Sequence, residues 1–122
     1  MRLTEDTGPG VNIIRAYADG ELWIKDRVFR GTVIVSASLV LVQPDIRDVS
    51  DLAAFDASLI LAHSPEVVLL GTGRRQHFPD PKFGARYLNS GVGFEAMDTG
   101  AACRTFNVLV SEQRRVVALL LV

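Results

Sequence analysis

Apolar positions change their spacing along this chain. Over the first third they come in short runs broken by turn residues. Residues 12–17 alternate, with Ile13, Arg15 and Tyr17 on one side. Asp19-Gly20 marks a two-residue hairpin, because glycine tolerates the positive φ of a type I′ turn. Residues 22–25 return as the partner strand, and Lys25-Asp26-Arg27 reads as a second turn. Thr32-Val33-Ile34-Val35 is β-branched and strand-like. Residues 39–42 form another short run, closed by Gln43-Pro44. A β-meander is expected over this third.

The spacing turns helical near Asp48 or Ser50, either of which can cap free backbone N–H groups. Leu52, Phe55 and Leu59 make one apolar face. Pro65 ends this helix, and His63 sits in its last turn. Val67-Val68-Leu69-Leu70 is a strand that opens into Gly71-Thr72-Gly73-Arg74-Arg75. A second helix follows the breaks at Pro79 and Pro81. Phe83 and Tyr87 lie four apart on it, and Gly91 suits its C′ position. The run Gly91-Val92-Gly93-Phe94-Glu95-Ala96-Met97 leads into a last helix starting at Asp98 or Thr99. Ala102, Phe106 and Leu109 make that helix's stripe, with Cys103 and Val110 one step round. Residues 116–122 are apolar throughout. The order, β-meander then α-β-α-β-α-β, predicts an α/β fold in which two successive βα units feed a buried sheet.

At 122 residues the chain is expected to form one domain spanning 1–122, with 1–10 as a loose polar tail. Thirteen basic and fourteen acidic residues nearly cancel, to a net charge of −1. That balance argues against a nucleic-acid binder working by bulk electrostatics. No apolar run approaches the roughly 20 residues that a membrane-spanning helix needs. Met1-Arg2-Leu3-Thr4-Glu5-Asp6 lacks the apolar core of a secretory signal, so a cytoplasmic location is expected. A single cysteine forms no internal disulfide and gives no metal-cluster spacing.

Candidate chemistry gathers in two places. The loop Gly71-Thr72-Gly73-Arg74-Arg75 has what an anion site needs: glycines for close backbone approach, a hydroxyl and two guanidinium groups. It matches neither nucleotide fingerprint, and the same residues suit a tight turn with solvated arginines. Asp98-Thr99-Gly100-Ala101-Ala102-Cys103-Arg104 starts a helix directly after a strand. There the helix dipole could lower the Cys103 thiol pKa, although a cysteine beside an apolar stripe also suits the core. His63 and His77 complete no metal set with any carboxylate or cysteine. A strand–turn break separates Glu95 from Asp98, so they are not read as a carboxylate pair. No metal, cofactor or catalytic set is expected.

Three segments carry a resemblance. These are Pro65-Glu66-Val67-Val68-Leu69-Leu70-Gly71-Thr72-Gly73, then Gly91-Val92-Gly93-Phe94-Glu95-Ala96-Met97-Asp98-Thr99, then Ala101-Ala102-Cys103-Arg104-Thr105-Phe106-Asn107-Val108-Leu109. Together they resemble the small uncharacterised domain shared with mitochondrial complex I assembly factor 3, over most of the chain. The resemblance implies a three-layer mixed fold, with the N-terminal β-meander packed on a central mixed β-sheet with helices. It also implies a non-enzymatic role with protein partners, such as respiratory-complex subunits or assembly proteins. It carries over no catalytic residue. It carries over a shared surface: Gly71, Thr72 and Gly73 in the loop, and Asp98, Thr99, Cys103 and Asn107 on the last helix. Relatives differ at Phe106 and Arg104, so neither is given a general role. The eukaryotic relatives are mitochondrial; without a presequence, this chain reads as bacterial.

Two functions are therefore weighed. One is a protein-interaction module that uses apolar and aromatic groups such as Trp23 and Phe29, although large aromatics also suit the core. An exposed edge strand of its meander would be a natural homodimer contact. The other is a small-molecule- or anion-binding protein or enzyme using the cleft between the Gly71-Thr72-Gly73 loop and the 98–107 helix. Thr72, Arg74, Asp98, Cys103 and Asn107 would line that cleft. A filled, dry strand–helix junction would favour the first reading, and a pocket with perturbed titratable groups the second.

Overall fold

The computed structural model describes residues 10–122, so the expected tail lies, except for Gly10, outside the described residues. β1 (Ile14–Ala18), β2 (Glu21–Ile24) and β3 (Arg27–Phe29) form a small antiparallel sheet. Its first turn is the expected one, with Asp19 and Gly20 at φ 53° and 76° as type I′ requires. The alternation in β1 differs from expectation. The register shifts between Ile14 and Ala16, so Ile13 and Arg15 face solvent while Ile14 and Tyr17 turn inward.

The meander divides after β3. β4 (Val33–Ser36) and β5 (Val40–Val42) leave the small sheet and form one side of a five-stranded sheet ordered β5-β4-β8-β6-β7. The reason is burial on both faces. Val33, Ile34 and Val35 are all fully buried, which an edge meander with one wet face cannot provide. The parallel core is β6 (Val67–Thr72), β7 (Gly93–Met97) and β8 (Val116–Leu121), with β4 antiparallel to β8. All six residues of β8 are buried, as a central strand demands.

The expected helix before Pro65 is instead two short pieces, a 3-10 turn at Val49–Ala54 and α1 at Ser58–Leu61. Between them Phe55 is extended, at φ −72° and ψ 133°. Asp56 takes the Ser58 backbone N–H, which starts a new helix end rather than continuing the old one. The break is satisfied from outside, because the Arg86 guanidinium donates to the carbonyls of Ala53 and Phe55. The interruption rotates the apolar face, so Ile60 is buried in place of Leu59.

α2 (Pro81–Leu88) and α3 (Thr99–Ser111) each begin at a capping aspartate, of which only Asp98 was expected. Asp80 and Asp98 accept backbone N–H groups of Lys82 and Ala101. Past α2, Gly91 at φ 78° closes a Schellman motif: its N–H bonds to Leu88 and that of Val92 to Tyr87. The three layers follow. On one face of the main sheet, α3 and the small sheet cover Val33, Val35, Leu69, Ala118 and Leu120. On the other, α2 and the two short helical pieces cover Ile34, Val68, Leu70, Val117 and Leu119.

Candidate functional site

The β6→α2 and β7→α3 connections leave neighbouring parallel strands and run to helices on opposite faces. In doubly wound sheets the crevice between two such strand ends is where ligands sit. Here it is bridged. The Thr99 side chain is fully buried, and its Oγ1 accepts the Gly73 N–H at 2.8 Å and donates to the Leu121 carbonyl. The Thr99 N–H returns to the Gly73 carbonyl at 2.8 Å. One threonine thus bolts the end of β6 to the start of α3 and to the end of β8.

The glycines make that approach possible. A Cβ on Gly71 would stand 2.8 Å from Thr99 Oγ1 and 3.0 Å from the Thr99 Cα, and Gly73 adopts φ 98°. The Thr72 hydroxyl is also engaged internally. It donates to the Arg75 carbonyl at 2.7 Å and accepts the His77 N–H at 3.0 Å. It therefore staples the loop rather than offering a hydroxyl to a ligand. Asp98 is occupied as the α3 cap.

Cys103 sits one turn into α3, facing the core. Burial pushes its thiol pKa up to about 12, outweighing the nearby Arg104 guanidinium. The dipole-activated thiolate that its position allowed is not formed. Beside it points Tyr17 of β1, whose buried hydroxyl has no hydrogen-bond partner among the described residues. Desolvation, then the neighbouring Cys103, raise that phenol's pKa, while Arg74 pulls it down. Thr99, the hydroxyl at hand, is already engaged by Gly73 and Leu121. Asn107 lies one turn beyond Cys103 along α3, away from this junction. Its side-chain amide both accepts from and donates to the backbone of Ile14, at 2.9 and 2.8 Å, as a neighbouring strand would.

The structure thus brings Gly71, Thr72, Gly73, Asp98 and Thr99 together, leaves Cys103 beneath them and sets Asn107 apart. Arg74 and Arg75 project into solvent, and among the described residues neither pairs with a carboxylate. Sequence reasoning missed Tyr17, whose inward turn depends on the β1 register shift. It also missed Phe78, 84% exposed in the loop after Arg75; an aromatic just before Pro79 was the available signal. Of the two aromatics named for an interface, Trp23 is 38% exposed but Phe29 is buried. Near the loop, Arg47, Ser50, Thr72, Gly73, His77 and Val122 line an open groove of about 400 Å³. Among the described residues no cluster of His, Cys, Asp or Glu could hold a metal ion, and no helix is long and apolar enough to cross a membrane.

These features define a small three-layer α/β domain whose β6 and β8 ends are tied to α3 beside an open groove. The chain belongs to the family described as protein of unknown function (DUF498/DUF598), which it matches over residues 14–121. A crystal structure of a Bordetella parapertussis protein is 40% identical and superposes with a TM-score of 0.78, covering 92% of this chain and 96% of that one. The "13 kDa major membrane protein" of Francisella tularensis is 31% identical over 95% of both chains. A relative from Xenopus tropicalis, NADH dehydrogenase [ubiquinone] 1 alpha subcomplex assembly factor 3, is 30% identical over 98% of this chain. The chain spans 66% of that relative's length. The expected family and the three-layer mixed fold both hold.

Proposed function

We propose that this protein is a non-enzymatic protein-interaction module of the assembly-factor type, with respiratory-complex subunits or assembly proteins as partners. The observation that carries the reading is the Thr99 bolt, which ties the β6 and β8 ends to α3 where an α/β enzyme of this topology would hold its substrate, with only an open groove beside it. The relationship to a complex I assembly factor supports the same class. A partner surface is at hand on the outer face of the small sheet. Cross-strand pairing lines up Ala16, Trp23 and Val28 there, and Ile13 stands 48% exposed nearby. Tryptophan with flanking aliphatic groups is the composition of an interface hot spot.

The test is affinity capture of tagged protein from its native cells after detergent solubilisation, with Trp23→Ser beside wild type. Enrichment of respiratory-complex subunits or assembly proteins, lost in the variant, is expected. A partner set unchanged by Trp23→Ser would remove the small sheet as the interface. The competing anion-binding reading predicts thermal stabilisation by phosphate or sulfate that Arg74→Ala abolishes. Such stabilisation would count against the assembly reading, and none is expected here.

A further inference from the structure

The two sheets present four edges among the described residues, at β1, β3, β5 and β7. Three carry a guard against pairing with another chain. Asn107 occupies both backbone groups of Ile14 on β1. Exposed Arg27 on β3 and exposed Glu95 on β7 put a charge on two more. β5 has no such guard. Residues 31–44, which hold β4, β5 and their turn, carry no charged side chain, and Val42 stands 55% exposed. The backbone of β5 is also half unused. Ser36 and Leu39 exchange N–H···O bonds across the turn, and the Gln43 N–H reaches the Thr32 carbonyl. With Leu41 opposite Ile34, the positions bonded to β4 are therefore Leu39, Leu41 and Gln43. Val40 and Val42, between them, turn their N–H and C=O groups away from β4. Among the described residues, what meets these groups is the Gln43 side-chain amide, on the Val42 carbonyl.

We propose that β5 pairs antiparallel with β5 of a second copy of this chain, about a two-fold axis at Leu41, joining two five-stranded sheets edge to edge. The strand is its own complement. In that register Val40 exchanges both N–H···O bonds with the second copy's Val42, Val42 does the same with the second copy's Val40, and Leu41 faces Leu41. Every outward backbone group of the two valines is then satisfied, and the exposed Val42 side chain is covered by a valine. Pro44 lacks the next N–H, so the ladder ends there and the pair closes instead of growing. Symmetry supplies this match to a second copy, whereas an unrelated strand has no reason to carry it. So short an edge falls below the roughly 800 Å² per partner of a standard interface, and a weak dimer with a Kd on the order of 100 µM is expected. The contact is independent of the Trp23 surface, which belongs to the other sheet.

Sedimentation equilibrium from about 10 µM to about 1 mM brackets that Kd. The mass is expected to rise from that of one chain towards that of two. Val42→Lys puts a charge on the edge, and Val42→Pro removes an outward N–H that β4 does not use; each should weaken association about tenfold or more. Val42→Thr keeps the branched shape and should change it by less than about twofold. Circular dichroism checks each fold. Amide exchange of wild type reads the backbone directly, and still decides where a variant fails to fold. Val40 and Val42 should gain protection as concentration rises, whereas Leu41, bonded to Ile34, is protected throughout. A wild type that stays monomeric at the highest concentration would overturn the proposal, as would a dimer that Val42→Lys and Val42→Pro leave intact. Protection of Val40 and Val42 that is independent of concentration would overturn it in favour of cover by the chain itself.

Discussion

Thr99 is a small residue with three backbone partners, and its role follows from that count. Replacing it by valine keeps the volume but removes the hydroxyl, leaving the Gly73 N–H and the Leu121 carbonyl without a partner. Each orphaned buried group costs about 1–3 kcal/mol, so Thr99→Val should destabilise by about 3 kcal/mol in urea unfolding. A change below about 0.5 kcal/mol would mean that the bolt contributes nothing. Gly71 is the complementary half. Any side chain there meets the Thr99 backbone, which cannot give as a flexible side-chain end would. This pairing was not legible in the sequence. Gly71-Thr72-Gly73 reads equally as a phosphate cradle or as a turn, because both need the same backbone freedom. What separates them is a threonine 26 residues away that ties the loop to α3.

At the level of elements, the parts legible in advance were those whose signal is local. The cap at Asp98, the Asp19-Gly20 turn and the Gly91 terminus follow from side chains within a few residues of their effect. The segment before Pro65 failed for the opposite reason. Its apolar spacing fits a helix, but Asp56 captures Ser58 locally and Arg86 satisfies the broken carbonyls from α2, which no local pattern reports. The end of α3 offers a test of the same local logic. Arg114 and Gln113 donate to Leu109 and Val110 as in the Schellman motif at Gly91, yet the left-handed position is held by Gln113 at φ 60°. A non-glycine residue there is strained. Gln113→Gly should therefore stabilise by about 0.5–1 kcal/mol, against the usual destabilising effect of introducing glycine. A lower melting temperature for that variant would show that the Gln113 side chain makes up for the strain.

At the scale of the whole molecule, two sheets share one core face, and what joins them is partly polar. Asn107 bonds to both backbone groups of Ile14, and Asn12 bonds to the carbonyls of Ser36 and Leu39. That is why Asn107, singled out from its family match, proves to be a latch for the small sheet rather than a lining residue. The buried titratable groups set a common weakness of this assembly. Cys103 and Tyr87 both have pKa values raised to about 12, mainly by burial, from ordinary values of 9.0 and 10.0. Below the ordinary values both groups are neutral whether the chain is folded or not, and the stability is fully present. Above them the unfolded chain ionises while the folded one resists, so stability falls as pH rises from about 9 towards 12. If both shifts act in full, the loss reaches about 6 kcal/mol by the top of that window. Tyr87→Phe separates the contributions cleanly, because the Tyr87 hydroxyl is buried without a partner among the described residues and its removal should leave neutral-pH stability nearly unchanged. Thermal unfolding of the two proteins across pH 7–11 should diverge only above the tyrosine's ordinary value of 10.0, with the variant the more stable. Parallel curves throughout would mean that Tyr87 reaches water in the folded state, and would leave Cys103 as the main alkaline trigger.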